Sequence, residues 1–310
     1  VIFIPQGEFV AYGALTLAAL QAGKVPATLW LILALGAAVM VLDCAQALRH
    51  GSGRRVPRIV AVNLAAPLLL WLLLSNVDLV GLPLVGQIVL ALAIVVPLGP
   101  MLYRLAYQPI AEASVLMLLI VSVAVHVVLI GLGLLFFGAE GTRTPAFTEG
   151  TLDLGATTLQ YQTLWILASS AVLIVALYAF FERTIYGKAL RATALNRTGA
   201  RLMGISTTMA GKLSFTLAAL IGAFSGILIS PITTLYYDSG FLIGLKGFVG
   251  AIIGGLASYP VAAAGALLVG LLESYSSFYA SAYKEVIVFT LIIPVLLWRS
   301  LNTHHSEEEE

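Results

Sequence analysis

Long runs of apolar residues, separated by short charged or turn-forming segments, recur along the whole chain. A helix that crosses about 30 Å of hydrocarbon needs about 20 apolar residues, and the backbone inside a bilayer is satisfied only in helices or closed barrels. The pattern therefore predicts an all-α, polytopic membrane bundle of about ten segments. The predicted segments are Phe9–Ala22, Ala27–Leu48, Ile59–Leu74, Leu82–Leu102, Ser114–Phe137, Leu164–Phe181, Leu213–Ile229, Gly244–Leu256, Pro260–Phe278 and Val286–Trp298.

The two ends and the irregular segments refine this picture. The segments at Phe9 and Gly244 are short, which is compatible with tilted spans, half-helices or re-entrant pieces. Pro97 and Pro100 predict a kink near the end of their segment. Val1–Gln6 resembles the tail of an earlier hydrophobic segment, so we expect a fragment that lacks its first helix. We expect one transmembrane domain over 1–303 and a charged, disordered tail over 304–310.

The distribution of Lys and Arg orients the bundle, because cytoplasmic loops are enriched in these residues. With ten crossings, twelve cations fall on one side, which we take as cytoplasmic, together with both chain ends. These cations are Arg49, Arg54, Arg55, Arg58, Arg104, Arg183, Lys188, Arg191, Arg197, Arg201, Lys212 and Arg299.

Composition narrows the class of protein further. Hydrophobic residues make up 60% of the chain, charged residues 10%, and the mean hydropathy is +1.01. A soluble domain has about 25% charged residues, so these values exclude an ordinary soluble enzyme, a disordered protein and a nucleic-acid binder. The single Cys44 excludes an intrachain disulfide and a cysteine-based metal site. Because no catalytic constellation is present either, we expect neither an enzyme nor a bound metal.

The most informative loop is Glu182–Lys212, which carries six cations against one acid. It is longer than the usual helix connection of about 2–8 residues. Its pattern predicts one short amphipathic helix over Gly187–Asn196 and a second that follows an N-cap at Thr198, runs through Met203 and is ended by Gly204. Physical chemistry leaves two interpretations of this loop. It either anchors the protein on anionic lipid or passes force from a cytoplasmic partner to the bundle.

Three stretches of the chain resemble the permeases of branched-chain amino acid ABC importers. The chain departs from that family at Pro5-Gln6, where the family has Ala-His, and at Ala27–Val80, which adds about two spans. The matching stretches are Tyr186–Ala192 with Ala200–Ile205 in the cytoplasmic loop, Gly244–Phe248 with Gly254–Leu256, Gly265, Gly270, Glu273 and Tyr283–Glu285 in the C-terminal third, and Phe3–Phe9 with Tyr12–Ala14 at the N-terminal Gly-Glu motif.

The resemblance implies a multi-pass permease subunit of the bacterial inner membrane. Its implied partners are two cytoplasmic ABC ATPases that bind ATP, a homologous second permease or a copy of the chain itself, and a periplasmic solute-binding protein. The chain itself is expected to bind no cofactor. The implied ATPase-coupling residues are Tyr186, Gly187, Arg191, Ala192, Arg197, Arg201 and Gly204. The expected translocation-path residues are Gly7, Glu8, Gly13, Gly244, Lys246 and Glu273.

Small residues and buried charges complete the list of candidates. Glycines at helix spacing permit close helix crossing, and we assign Gly222, Gly226, Gly250, Gly254 and Gly270 to packing. The alternative is that these glycine faces let helices slide during alternating access. Ionisable residues in membrane segments are costly and mark function by default.

Two of these ionisable residues, Asp43 and His126, are expected to be satisfied by neighbouring helices or water. Lys246 has two interpretations: it attracts a solute carboxylate beside a broken helix, or it is an interfacial residue that extends its amine to water.

A stand-alone secondary transporter or channel is the alternative function. The number of helices and the short segment at Gly244 favour it. The scarcity of buried charge disfavours it, because an ion-driven carrier usually needs a denser polar relay.

Overall fold

The computed structural model describes residues 3–49, 51, 53–153, 155, 158–254, 259–291 and 293–297. Nearly all of the regular structure in these residues is helical. The α-helices are α1 (Gln6–Gln21), α2 (Thr28–Arg49), α3 (Val56–Val60), α4 (Ala66–Asn76), α5 (Leu84–Val95), α6 (Leu98–Leu102), α7 (Val115–Phe137), α8 (Tyr161–Arg183), α9 (Ile185–Leu195), α10 (Arg197–Leu202), α11 (Thr207–Ile229), α12 (Ser239–Ile253), α13 (Tyr259–Tyr279) and α14 (Lys284–Thr290).

The predicted count of about ten membrane segments is not confirmed. Within the described residues, seven helices are long and apolar enough to cross a membrane. Three other predicted segments correspond to shorter helices, α1, α12 and α14, with 16, 15 and 7 residues. The predicted tail at 304–310, like Arg299, lies outside the described residues. The seven spans are Thr28–Arg49, Val56–Asn76, Leu84–Tyr107, Val115–Phe137, Tyr161–Arg183, Thr207–Ile229 and Pro260–Tyr279.

The described residues form two compact units. The first lies within Val1–Ser170 and Ala179–Phe241, and the second lies within Ala171–Tyr178 and Leu242–Glu310. The first unit contains the N-terminal motif and the cationic loop. The second unit contains most of α12 together with α13 and α14.

Helix α1 is the central element of the first unit. Its residues from Gly7 to Leu17 are buried, and it packs along α11. Gln6 bonds to Ala218, and Val10 lies against Gly226, so the two helices run parallel. A helix that is buried all round is consistent with the nearly uniform apolar character of its sequence.

The span Leu84–Tyr107 is interrupted as its prolines predict. Helix α5 ends at Val95, α6 begins at Leu98, and a π-helical turn over Tyr103–Tyr107 completes the span. The placement of Arg104 in a loop is therefore wrong, because this residue lies in the π-helical turn. Its guanidinium forms an ion pair with Asp43, with 2.5 Å between Nη2 and Oδ1. Asp43 is thus satisfied by a neighbouring helix, as expected.

The connection between α7 and α8 contains an element that the sequence pattern does not predict. Two short antiparallel strands, β1 (Thr151–Asp153) and β2 (Thr158–Gln160), pair Leu152 with Leu159. Thr142 also bridges to Leu235. The three-residue strands are too short to leave a clear alternation in the sequence.

In the second unit, α12 and α13 approach each other through small residues. A Cβ atom on Gly250 would lie 3.1 Å from the Cα atom of Ala266. Val249, Val269 and Val288 form the apolar core of this unit.

Candidate functional site: the cationic loop and the N-terminal motif

The cationic loop contains two short helices whose ends are capped by polar side chains. Thr184 caps α9, with its Oγ1 accepting a hydrogen bond from the Gly187 amide at 3.0 Å. Asn196 caps α10, with its Oδ1 accepting a hydrogen bond from the Gly199 amide at 2.7 Å. The predicted N-cap at Thr198 is therefore wrong, because Asn196 is already in an extended conformation and binds the amide three residues later.

Two glycines shape the ends of this loop. A Cβ atom on Gly187 would lie 2.6 Å from the Cα atom of Phe181, so only glycine allows α9 to fold closely against the end of α8. Gly204 has a φ of +80°, a left-handed conformation that favours glycine after a helix.

The three candidate arginines of the loop all make contacts within the chain. Arg191 Nη1 lies 2.7 Å from Glu182 Oε1. Arg201 Nη2 lies 2.7 Å from Glu112 Oε1, and its hydrogen bond lowers the pKa of the Glu112 carboxyl below its usual range. Arg197 donates through Nη1 to the Ala111 carbonyl oxygen. The arginines therefore tie the loop to the end of α8 and to the segment before α7.

The outer surface of the same loop carries large apolar side chains. Tyr186 is 56% exposed, Leu202 83% and Met203 82%. Ala192, which the family resemblance also singles out, is half-buried in α9. The loop therefore consists of an internally braced scaffold with apolar residues on its surface.

The N-terminal Gly-Glu motif lies at the start of α1, where α12 also begins. A Cβ atom on Gly240 would lie 2.6 Å from the Gly7 carbonyl carbon and 2.9 Å from the Glu8 nitrogen. Glu8 is fully buried at 0% exposure. Both helix N-termini carry a partial positive charge, which favours a carboxylate in this position.

A histidine from α7 faces the buried carboxylate of Glu8. His126 Nδ1 lies 3.0 Å from Glu8 Oε1, and the imidazole ring stands 4.7 Å from the ring of Phe241. Neither oxygen of Glu8 makes a hydrogen bond within the described residues. Sequence reasoning singled out both residues but did not pair them, because 118 positions separate them and no local signal reports such a contact.

The remaining glycine candidates of the first unit lie at the contact of α1 and α11. A Cβ atom on Gly13 would lie 2.5 Å from the Ala223 carbonyl oxygen. A Cβ atom on Gly222 would lie 2.8 Å from the Phe9 Cβ atom, and one on Gly226 would lie 2.7 Å from the Val10 carbonyl carbon. These glycines let the two backbones approach closely.

The second unit gathers the other candidates around one cation. Lys246 Nζ lies 2.6 Å from Glu273 Oε1 and 3.3 Å from Glu285 Oε1. Two carboxylates thus compensate this amine, which argues against its attracting a solute carboxylate.

The glycines of the second unit differ in their surroundings. Gly244 is half-buried in α12, and a Cβ atom on Gly254 would lie 2.6 Å from the Cα atom of Ala262. For Gly270, no described atom lies within 4 Å of the position that an added Cβ atom would take.

Comparison with known proteins gives a consistent picture. Residues 59–296 match the family model described as "Branched-chain amino acid transport system / permease component". The high-affinity branched-chain amino acid transport system permease protein LivH of Escherichia coli K12 is 31% identical over 258 residues, which cover 80% of this chain and 82% of LivH. The corresponding BraD protein of Pseudomonas aeruginosa is 28% identical and covers 73% of this chain and 77% of BraD. No solved structure matches the chain.

Proposed function

The chain belongs to the family of permease components of branched-chain amino acid transport systems, and from this premise we propose its role in a complete importer. It is the multi-pass transmembrane subunit of an ABC importer that translocates branched-chain amino acids or similar small solutes. The resemblance of the sequence to the family and the seven apolar spans support this assignment.

The proposed assembly places the chemistry of ATP on other chains. Two cytoplasmic ABC ATPases bind and hydrolyse ATP, and this chain binds no cofactor of its own. A homologous second permease, or a copy of this chain, completes the translocation path in the bacterial inner membrane. A periplasmic solute-binding protein delivers the solute to the outer face.

The exposed apolar surface of the cytoplasmic loop is the observation that carries the proposal. Leu202 and Met203 are more than four-fifths exposed beside several cations. Exposed apolar groups rimmed by polar residues mark protein or membrane contacts. The ATPases are proposed to bind here and to move α9 and α10, which favours one conformation of the bundle by differential contact.

The translocation-path residues are proposed to act in two ways. Glu8 and Gly7 hold the start of α1 against α7 and the first residues of α12, and so set the shape of the path without contacting the solute, because Glu8 is fully buried. Gly13 belongs to the packed contact beside the path. Lys246 and Glu273 form a charge cluster that fixes α12 on α13.

Co-purification of the ATPases tests the docking surface. Met203→Asp and Leu202→Asp place charges on the apolar surface without touching the ion pairs, and we expect the ATPases to be lost from the purified complex. Thr198→Asp, at an exposed position of α10, provides the matched control. Retention of the ATPases by both apolar variants would contradict the proposal.

Charge reversal of the arginines needs a paired design. Arg191→Glu alone removes the proposed contact with the ATPase and also breaks the ion pair with Glu182. The swap Glu182→Arg with Arg191→Glu preserves the pair and inverts its direction. If the swap restores ATPase binding, Arg191 braces the loop; if binding stays lost, Arg191 contacts the ATPase directly. Solute uptake by the purified chain without any ATPase would favour the stand-alone transporter instead.

A further inference from the structure

A cavity of about 700 Å³ lies between the cytoplasmic loop and the start of α1, within the first unit. Its volume is in the range of about 300–1,000 Å³ that small-molecule sites occupy. The first turn of α1, the end of the span Leu84–Tyr107, α9 and the first half of α11 contribute to its wall. Neither the ion pairs of the loop nor the buried Glu8 accounts for this space.

The wall of the cavity is largely apolar and is built around Phe215. The ring of Phe215 stands 4.4 Å from that of Phe3, 4.8 Å from Tyr107 and 5.1 Å from Tyr103. Leu118 adds an aliphatic surface beside these rings. Such a wall suits an aliphatic side chain, because transfer of apolar area out of water is the main gain on binding there.

One charged group lies on this wall among the described residues, the guanidinium of Arg197. Arg197 donates one hydrogen bond through Nη1 to the Ala111 carbonyl oxygen, and the Glu112 carboxylate, which binds Arg201, also attracts it electrostatically. A guanidinium binds carboxylates through two parallel hydrogen bonds. Charge complementarity therefore selects a ligand with a carboxylate at one end.

The position of the cavity relates it to the path through the bundle. It follows α11 from Thr207 to Ala218, about 17 Å at about 1.5 Å per residue. Gln6 donates to the Ala218 carbonyl oxygen at its far end, at 2.9 Å, and beyond this bond α1 and α11 pack through glycine. The cavity thus ends at the tight helix contact, while residues of α9 and Arg197 line its other side.

We propose that this cavity is the inner chamber of the permease and holds an aliphatic amino acid, with the carboxylate on Arg197 and the side chain against Phe215. The chamber rests on the proposed function, because an importer releases its solute on the side of the ATPases. Since α9 and Arg197 belong to both the loop and the chamber wall, movement of the loop changes the affinity of the chamber directly.

Protection of an engineered cysteine tests the chamber in the assembled transporter. In a Cys44→Ala background, Ser214→Cys places a thiol on the cavity wall, and Leu220→Cys places one at an exposed position of the same helix away from the cavity. We expect leucine to slow methanethiosulfonate labelling at position 214 but not at 220. 4-Methylpentanoate, which keeps the carboxylate, should protect position 214, whereas isoamylamine, which lacks it, should not.

Uptake of leucine by proteoliposomes gives an independent readout. Ser214→Trp fills the cavity and should abolish uptake, while Leu220→Trp should leave it unchanged. Arg197→Gln should raise the half-saturating leucine concentration about tenfold, the loss expected for one charge-assisted hydrogen bond, and Arg197→Lys should restore part of it. Normal uptake without protection at position 214 would overturn the chamber. Protection of position 214 by leucine in a transporter that shows no ATP-driven uptake would contradict the proposed importer function but support the binding chamber.

Discussion

The contact between α1 and α11 gives the most direct test of the packing. Gly13→Ala adds a Cβ atom that would lie 2.5 Å from the Ala223 carbonyl oxygen and 2.6 Å from its Cα atom. Carbon atoms in van der Waals contact are about 3.5–4.0 Å apart. The two helices must therefore separate by about 1 Å, and backbone atoms, unlike a flexible side chain, cannot turn away from the added methyl group.

The expected cost follows from this displacement. Overpacking a well-packed site costs about 1–3 kcal/mol, and contact with backbone on the opposing helix places Gly13→Ala at the upper end, about 3 kcal/mol. Gly226→Ala should have a similar effect, because its Cβ atom would lie 2.7 Å from the Val10 carbonyl carbon. Both changes should also reduce solute uptake, because the start of α1 lines the cavity that is proposed to hold the solute.

Thermal unfolding of the purified transporter in detergent measures the effect. Gly131→Ala in α7 is the matched control, because no described atom lies within 4 Å of its Cβ position. This control should be neutral or stabilised by up to about 1 kcal/mol through helix propensity. An unfolding midpoint of Gly13→Ala equal to that of Gly131→Ala would refute the close contact between the two helices.

Three further predictions concern charges and caps. Asp43→Asn leaves the buried Arg104 without its counter-charge and should lower the free energy of unfolding by about 3 kcal/mol, measured by thermal unfolding; Asp43→Asn combined with Arg104→Gln should recover part of it. Because Arg201 lowers the pKa of Glu112, their ion pair is complete above the usual pKa of Glu112 and is lost as the pH falls through the lowered value. Limited proteolysis of the loop should therefore accelerate in acid. The Glu112→Gln variant should be cleaved faster than the unchanged protein at neutral pH, and its cleavage should depend less on acid. Asn196→Ala removes the cap of α10 at a cost of about 1 kcal/mol, visible as faster amide exchange in α10, and Asn196→Asp should retain the cap.

The helical membrane class and the loop helices could be predicted from local signals. Apolar runs and caps depend on residues close together in the sequence, so the pattern predicts the end of α11 at Ile229 and the end of the loop helices at Gly204. The start of α11 lies at Thr207, six residues before the predicted Leu213. The pattern does not single out the cap at Asn196, because Thr198 is also a favoured capping residue, although Asn ranks somewhat above Thr. The backbone conformation shows which of the two begins the helix.

The partners of the charged candidates could not be predicted. Asp43 and Arg104 are 61 positions apart, and Lys246 reaches Glu273 and Glu285 across two helices. Helix faces can be read from periodicity, but the neighbour that each face meets depends on how the helices pack. Such pairs therefore emerge only when the helices are assembled.

The sequence by itself determined that this chain is a helical membrane permease with a strongly cationic loop at Glu182–Lys212, because hydropathy, charge and short motifs depend on residues close together in the chain. The tertiary structure decided that the arginines of the loop brace it internally, that Glu8 faces His126, and that α9 shares a cavity with the start of α1. These contacts join distant parts of the chain, and close packing of helices, rather than any local preference, selects them.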